Sequence, residues 1–478
     1  MPAGSLPAGF GLLLDPSVRS FRGGTVLTGG HPGRIMRLTN QGASVLATVT
    51  AGVPSTDAGR RLARRLIDAG MAHPRAAEPP GATGETTNDR PSLTVVIPVH
   101  NRSELLDRCL TSIEPGTPVV VVDDGSANPA SVAEVCRRHG ATLVTRTANG
   151  GPAAARNDGL VAVDTELVVF LDSDCMAPAG WLAGLTWVFG DPSVGAVAPR
   201  IRPIGTAEGT DGRSVRDRFL AARSPLDMGT DESEVGPDRL VRYVPTAALI
   251  VRRQALTGEF DRGLRFGEDV DLVWRLLDSG WHVRYHPSVV VEHHEPTSWP
   301  ALLRRRFHYG TSAGPLARRH PGRLAPVELR PWPTVAACAL LAGRPRTAAA
   351  VAVASGLLLG HRVRTTGVPR SVAMRWSIQG AGWTVFGIGR AATMLATPAL
   401  LLALVGGWRS RRAAAALLLI PPAVEWWRRR PALDPVRWAA ASIADDVAYG
   451  AGVWAGCLRS RTVAPLVPAV RLGRTARR

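Results

Sequence analysis

Between residues 92 and 310 the apolar positions fall in short unbroken runs: LTVVIPV (93–99), PVVVVDD (118–124), ATLVT (141–145) and ELVVFLD (166–172). Segments with helical spacing, SELLDRCLTSI (103–113) and SVAEVCRRHG (131–140), lie between them. Continuous apolar runs are strands buried on both faces, and their alternation with helices predicts an α/β domain with a parallel sheet covered on each side. Ligands of such sheets sit at the carboxyl ends of the strands, so the residues that follow each run are the first to consider.

The pattern differs on either side. In residues 1–75, LLLDPSV (12–18) and GRIMRLTN (33–40) read as short strands set off by GG and HPG turns. TNQGASVLATVTAG (39–52) reads as a helix, and DAGRRLARRLIDAGM (57–71) places Leu62, Leu66 and Ile67 at helical intervals. Strands plus two short helices suggest a small winged-helix domain, for which a peptide, a DNA or a purely structural role stays open. Residues 76–91, rich in Pro, Gly and Thr, read as a linker. Residues 311–478 are Ala/Leu-rich and punctuated by arginine. Their longest uncharged stretch is 391–408, interrupted by Pro398 and followed at once by Arg409, Arg411 and Arg412. That is short for a spanning helix, which needs about 20 apolar residues, but its basic flank is of the cytoplasmic kind. The expectation is a helical region that spans, lies on or stays clear of a membrane.

Composition changes this picture little. The 478 residues suffice for two or three domains. The net charge of +18 comes from arginine alone, for the sequence holds no lysine, and it favours anionic partners such as diphosphates or lipid headgroups. Nucleic acid is a lesser option. Five widely spaced cysteines without a CxxC pair argue against a disulfide framework or structural zinc and fit a reducing cytoplasm. The N-terminus lacks a charged start followed by an apolar run, so no secretory signal is expected.

The candidate chemistry follows the strands. FLDSDC (170–175) sets Asp172 and Asp174 two positions apart at a strand end. There they face desolvation and mutual repulsion, which a divalent cation relieves. VVVVDDGS (119–126) offers Asp123 and Asp124 to a base N–H or a ribose hydroxyl, or as caps of the next helix. NGGPAAARNDG (149–159) carries Arg156, which could meet a phosphate; neither a P-loop nor a GxGxxG fingerprint is present. In FGEDVDLVWRLL (266–277), Glu268 and Asp269 either complement a helix dipole or supply a base for an acceptor hydroxyl. His293 and His294 end a strand in a carboxylate-rich region and are candidate metal ligands.

In this order, VVIPVHNR (95–102), VDDGS (122–126), GPAAARNDG (151–159), LDSD (171–174), GEDVDLVWRL (267–276) and YHPSVVVEHH (285–294) resemble the inverting glycosyltransferases of family 2, which have the GT-A fold for nucleotide-diphospho-sugar transfer. The resemblance implies a UDP-sugar donor contacted by Pro98, Asp123, Asp124, Arg156 and Asp172. It implies Mn2+ or Mg2+ on Asp172, Asp174 and His293, with His294 as a substitute. Asp269 becomes the catalytic base, with Glu268 beside it. The QxxRW of processive polysaccharide synthases is missing, RRRFHYG (304–310) standing there instead, so a membrane-extruding polymerase is not expected.

The opening PAGFGLLLDPSVRSF and the segment RRRFHYGTSAGPLARRHPGRLAP (304–326) are similar to the mycofactocin-system glycosyltransferase family. That similarity implies transfer of glucose from UDP-glucose onto the peptide-derived cofactor premycofactocin, a PqqD-like fold for residues 1–75, and a β-linked oligoglucoside product. The corresponding division is 1–75, a linker 76–91, a GT-A domain 92–310 and a helical region 311–478. The expected location is the cytoplasmic face of the cell membrane. A lipid or cell-wall glycan acceptor and a non-catalytic metal- or nucleotide-binding protein are the alternatives.

Overall fold

The computed structural model describes residues 4–76, 91–205 and 214–471. It divides into two compact units, Met1–Glu208 with Ser224–His294, and Gly209–Arg223 with Glu295–Arg478. Most of the expected linker, 76–91, lies outside the described residues.

The first unit is built on a nine-stranded sheet among the described residues. Its order runs Cys175–Met176, His282–His293, Val194–Pro203, Ala248–Arg252, Leu167–Leu171, Leu93–Val99, Val119–Asp123, Thr142–Thr145, with Ser233–Glu234 pairing off this path. The strands read from the sequence form its parallel part: Leu93–Val99 lies between Val119–Asp123 and Leu167–Leu171, in the same direction as both. The whole sheet is mixed, because Ala248–Arg252 runs antiparallel to Leu167–Leu171 and to Val194–Pro203. Val95, Ile97, Val121, Val169 and Leu171 are buried in one core with Leu106, Leu110 and Val132 of the covering helices. This is why the apolar runs are unbroken.

The N-terminal elements belong to the same unit. Arg19–Phe21, Val26–Gly29 and Arg34–Arg37 form an antiparallel meander, and Phe10–Leu14 pairs with Ala72–Ala76. The helices Asn40–Ala51 and Asp57–Asp68 are capped by the Thr39 and Thr56 side chains, which accept from Gly42 and Gly59 N–H. The strand expected over 12–18 stops at Leu14, because Asp15 folds the chain back by accepting from Ser17 N–H at 2.8 Å. Arg64, from the basic helix that left DNA open, is buried and pairs with Asp191 at 2.5 Å. That charge therefore faces the turn before the strand Val194–Pro203.

The second unit is helical: Val215–Arg223, Trp299–Thr311, Ala313–Arg319, Pro331–Leu341, Pro345–Arg362, Arg370–Leu404, Trp408–Arg429 and Pro435–Ser460. The helix Trp299–Thr311 falls in this unit, although the sequence assigns it to the transferase domain. Gly310 and Gly314 meet Gly452 and Gly456 backbone to backbone; a Cβ on Gly452 would stand 1.9 Å from the Phe307 carbonyl oxygen. Small residues four apart on both partners permit such close approach. A buried ion network ties the bundle. Arg223 meets Asp446 at 2.8 Å and Glu425 at 3.4 Å, and Arg306 meets Asp445 at 2.6 Å. The helix Arg370–Leu404 starts well before the uncharged stretch 391–408, since Arg390 faces Glu425 and Asp446 at 3.6 Å inside the bundle and ends nothing. Pro398 leaves its mark at Ala396, whose φ of −128° departs from the helix. Arg370–Leu404 is long and apolar enough to cross a membrane, and little of its apolar stretch is buried.

Candidate active site

The three parallel strands end together, so their loops share one rim. Asp124 N–H donates to the Val99 carbonyl at 2.8 Å, and His100 Nδ1 donates to the Asp124 carbonyl at 3.0 Å. Asn101 takes a left-handed φ of 57°, which asparagine tolerates. Its N–H donates to Ser126 Oγ at 2.9 Å and its Oδ1 accepts from Ala127 N–H at 2.7 Å. The VHNR and DDGS loops are thereby one structure. Pro98 stands half-buried at this strand end, opposite Val122.

The two aspartates of the DDGS loop have different tasks. The Asp124 carboxylate is occupied: Oδ1 accepts from Arg146 Nε and Gly150 N–H, both at 2.8 Å, and Oδ2 accepts from Gly151 N–H at 2.8 Å. It pins the glycine turn. Asp123 is fully buried; its Oδ1 accepts from Ser126 N–H at 3.0 Å, and its Oδ2 is a buried acceptor with no partner. Both aspartates thus shape the loop, and Asp124 is the less deeply buried of the two.

Arg156 also departs from expectation. It is buried, with one terminal nitrogen donating to Glu268 Oε1 at 2.8 Å and the other to Asp172 Oδ1 at 2.7 Å. Its guanidinium lies 5.6 Å from the centre of the Phe260 ring. Asn157 clamps the same phenylalanine, accepting from its N–H at 2.7 Å and donating to its carbonyl at 2.8 Å. The two carboxylates hold Arg156 cationic against the cost of burial, well above its ordinary pKa. Its phosphate role is thus replaced by a bridging one, between the DSD loop and the GED helix.

That helix, Glu268–Asp278, begins after Gly267, whose φ of +84° is a left-handed turn that favours glycine. Burial pushes the Glu268 carboxyl up to about 7, helped by its neighbour Asp269 and opposed by Arg156. Burial raises Asp269 as well; the hydrogen bond its Oδ1 accepts from Val270 N–H at 2.8 Å and the charge of Arg156 only partly offset this. A carboxylate lifted toward neutral pH is a competent proton acceptor.

On the other side of Arg156 lies the DSD loop. Cys175 pairs with His293 in antiparallel register, and His294 N–H donates to the Asp174 carbonyl at 2.9 Å. His293 Nε2 stands 3.4 Å from Asp174 Oδ1, and Arg102 donates to Asp174 Oδ2 at 2.7 Å. Among the described residues no group of three or more His, Cys, Asp or Glu side chains converges as a metal centre. Asp172 instead turns to Arg156. The donor chemistry nevertheless fits a hard divalent cation: two carboxylates and one imidazole, with an Asp174–His293 pair already adjacent. Arg102, Arg146 and Phe260 were not singled out from the sequence. Arg102 sits inside the quoted VVIPVHNR run, whereas Arg146 and Phe260 have no local signature.

A mixed α/β sheet with paired carboxylates on the DSD loop and a GED helix facing them defines a GT-A glycosyltransferase. The model of glycosyl transferase family 2 matches residues 94–255. The pre-mycofactocin glycosyltransferase of Mycobacterium tuberculosis (strain H37Rv) is 36% identical over 484 residues, covering 98% of this chain and 100% of that protein. Glycosyltransferase AglE of Haloferax volcanii is 26% identical over 239 residues, covering 47% of this chain and 73% of its own. Among solved structures, a mannosyltransferase from Pyrobaculum calidifontis in complex with GDP-Man and Mn2+ matches at 23% identity and a TM-score of 0.38, covering 71% of this chain and 88% of its own. A likeness that distant says nothing of this chain's donor or metal. The chain belongs to the pre-mycofactocin glycosyltransferase family, within family 2, and is an enzyme.

Proposed function

We propose that this enzyme transfers glucose from UDP-glucose, with inversion, onto premycofactocin, and that repeated transfer builds a β-linked oligoglucoside. The observation that carries the chemistry is the chain Glu268–Arg156–Asp172, which ties the base helix to the DSD loop. The acceptor follows from likeness over nearly the whole chain to the M. tuberculosis protein, whose name states it. In the reaction an acceptor hydroxyl oxygen attacks the anomeric carbon opposite the diphosphate, and its proton passes to Asp269. The bond from that carbon to the diphosphate oxygen breaks, and UDP leaves with the electron pair. Asp123 and Asp124, with Pro98 beside them, are the residues that would accept from the nucleoside. A divalent cation, Mn2+ or Mg2+, supplies positive charge near the departing diphosphate when bound, and Asp172, Asp174 and His293 are the residues that would hold it. Positioning and charge stabilisation account for most of the rate. The test is UDP release from UDP-glucose by purified enzyme, with and without premycofactocin, followed by mass analysis. Acceptor-dependent release with added hexose masses is expected; release without modification of that acceptor refutes it.

A membrane location is part of this proposal. Large apolar side chains are exposed on the helical unit, among them Leu357, Ile378, Leu402, Val405 and Leu458, together with Trp408 and Trp427. Arg409 and Arg412 stack near the Trp408 ring at 5.9 and 5.1 Å. Exposed apolar surface rimmed by tryptophan and arginine is suited to a bilayer interface with anionic headgroups. The same surface favours a second reading, in which the acceptor is a lipid or cell-wall glycan. We read residues 1–75 as a PqqD-like winged-helix unit, supported by the meander and two helices. Fractionation without detergent is expected to leave the full chain in the membrane pellet, released by detergent and not by high salt. Full recovery in the soluble fraction removes the membrane location.

A further inference from the structure

Far along the same sheet lies a cleft of about 910 Å³ that the transfer reaction does not use. It opens where the N-terminal strands Phe10–Leu14 and Ala72–Ala76 face the 3-10 turn Trp187–Gly190 and the middle of the strand His282–His293. His286 lines it, seven residues before His293. At about 3.3 Å per residue, the cleft is roughly 20 Å from the DSD loop. A pocket of this size with convergent polar groups is of the kind that holds a small ligand.

Most charges of the lining are compensated within the protein, while Asp231 stands exposed on its wall. Arg75 donates to Glu232 at 2.6 Å, Arg200 donates to Asp227 at 2.8 and 2.7 Å, and His73 Nε2 stands 3.0 Å from Asp15. An anionic ligand would have to break these pairs and would be repelled by Asp231; a ligand without charge meets neither cost. A neutral ligand rich in hydroxyls can use their remaining donors and acceptors without displacing any. Trp187 adds an apolar surface: its indole N–H is taken by the Gly184 carbonyl at 3.0 Å, so the ring contributes its body to the cleft, with the His286 ring edge-on to it at 5.7 Å. An aromatic surface set among fixed donors and acceptors suits a pyranose, which is apolar on its C–H face and polar around its rim.

We propose that this cleft is a second carbohydrate-binding site, which holds sugars already attached to the acceptor while the strand-end site adds the next one. The proposal rests on the hexose transfer argued above. The experiment uses the full-length enzyme in detergent without donor, with cellotetraose and laminaritetraose as probes and saturation-transfer NMR as the readout. Thr230, exposed on the cleft wall and remote from the transfer chemistry, is replaced by tryptophan to fill the entrance. The wild-type enzyme is expected to bind at least one tetrasaccharide, and Thr230→Trp to bind it at least tenfold more weakly. The first hexose is expected to be added at the wild-type rate within twofold, and the products of Thr230→Trp to be shorter. Ser288→Trp, also in the lining, replaces it if Thr230→Trp fails to keep the wild-type unfolding midpoint. The proposal is overturned if the wild type binds neither tetrasaccharide, if the plugged variant binds as the wild type does, or if an unglycosylated peptide acceptor competes the sugar out of the cleft. Loss of hexose transfer with binding intact would refute the assigned reaction and leave the sugar site standing.

Discussion

Asp269→Asn is expected to lower kcat by about 10²–10⁴-fold, the range that a positioned general base contributes, while UDP binding stays within about threefold. Asp269 stands at the start of a helix beside Glu268, which is locked to Arg156 at 2.8 Å. Asp269 accepts from Val270 N–H through Oδ1 at 2.8 Å. Its carboxyl is raised mainly by burial, so the deprotonated form is a better base than an exposed aspartate. Activity therefore rises with pH along an acid limb lying above the ordinary aspartate range, and Asp269→Asn removes that limb. Glu268 titrates near 7 in the folded chain against an ordinary 4.5. It holds its proton more tightly when folded, so the stability it contributes is complete below about 4.5 and is lost as pH rises toward 7. Activity and this contribution to stability thus respond to rising pH in opposite directions. Stopped assays from pH 5 to 9 with parallel thermal unfolding separate the two trends. Wild-type turnover in Asp269→Asn, or an acid limb unchanged in it, sinks the assignment.

Much of the parallel core was legible because its cause is local. Val95, Val121 and Val169 are apolar in unbroken runs since both faces of those strands are covered, and chemistry was sought where each run stops. The strand Ala248–Arg252 was harder to read, because its antiparallel direction depends on pairing with Leu167–Leu171 across some 80 intervening residues. The choice between Asp123 and Asp124 also lay beyond the sequence. Two adjacent carboxylates at a strand end look alike until the Gly150–Gly151 turn, 26 and 27 residues away, claims one of them. Arg156 announced itself as a phosphate contact for want of a visible partner; Glu268, which occupies it, lies 112 residues further on. In the helical unit, Arg390 broke an apolar pattern that the folded helix carries straight through, its charge being answered by Glu425 and Asp446 on neighbouring helices.

Asp174→Ala is expected to lower turnover by about 10²–10³-fold, or about 3–4 kcal/mol of lost charge stabilisation, and to leave an enzyme that added Mn2+ does not restore. Asp174 links the DSD loop to the neighbouring histidine strand and the VHNR loop. Its carbonyl fixes His294, its Oδ1 lies 3.4 Å from His293, and its Oδ2 receives Arg102. Arg102 is more than half exposed, so its pair with Asp174 is worth little and opens readily. Asp172 differs, because its arginine is buried and serves two carboxylates at once. Asp172→Ala would leave a buried cation with one fewer partner and is expected to cost stability as well as activity. Asp174→Ala is the cleaner test: activity falls while the unfolding midpoint moves little. Chelation of the wild type is expected to reproduce the loss, and addition of Mn2+ or Mg2+ to reverse it. Wild-type turnover in Asp174→Ala, or wild-type activity indifferent to chelation, would show that arginines alone compensate the departing diphosphate, with Arg102 released from Asp174 as the first candidate.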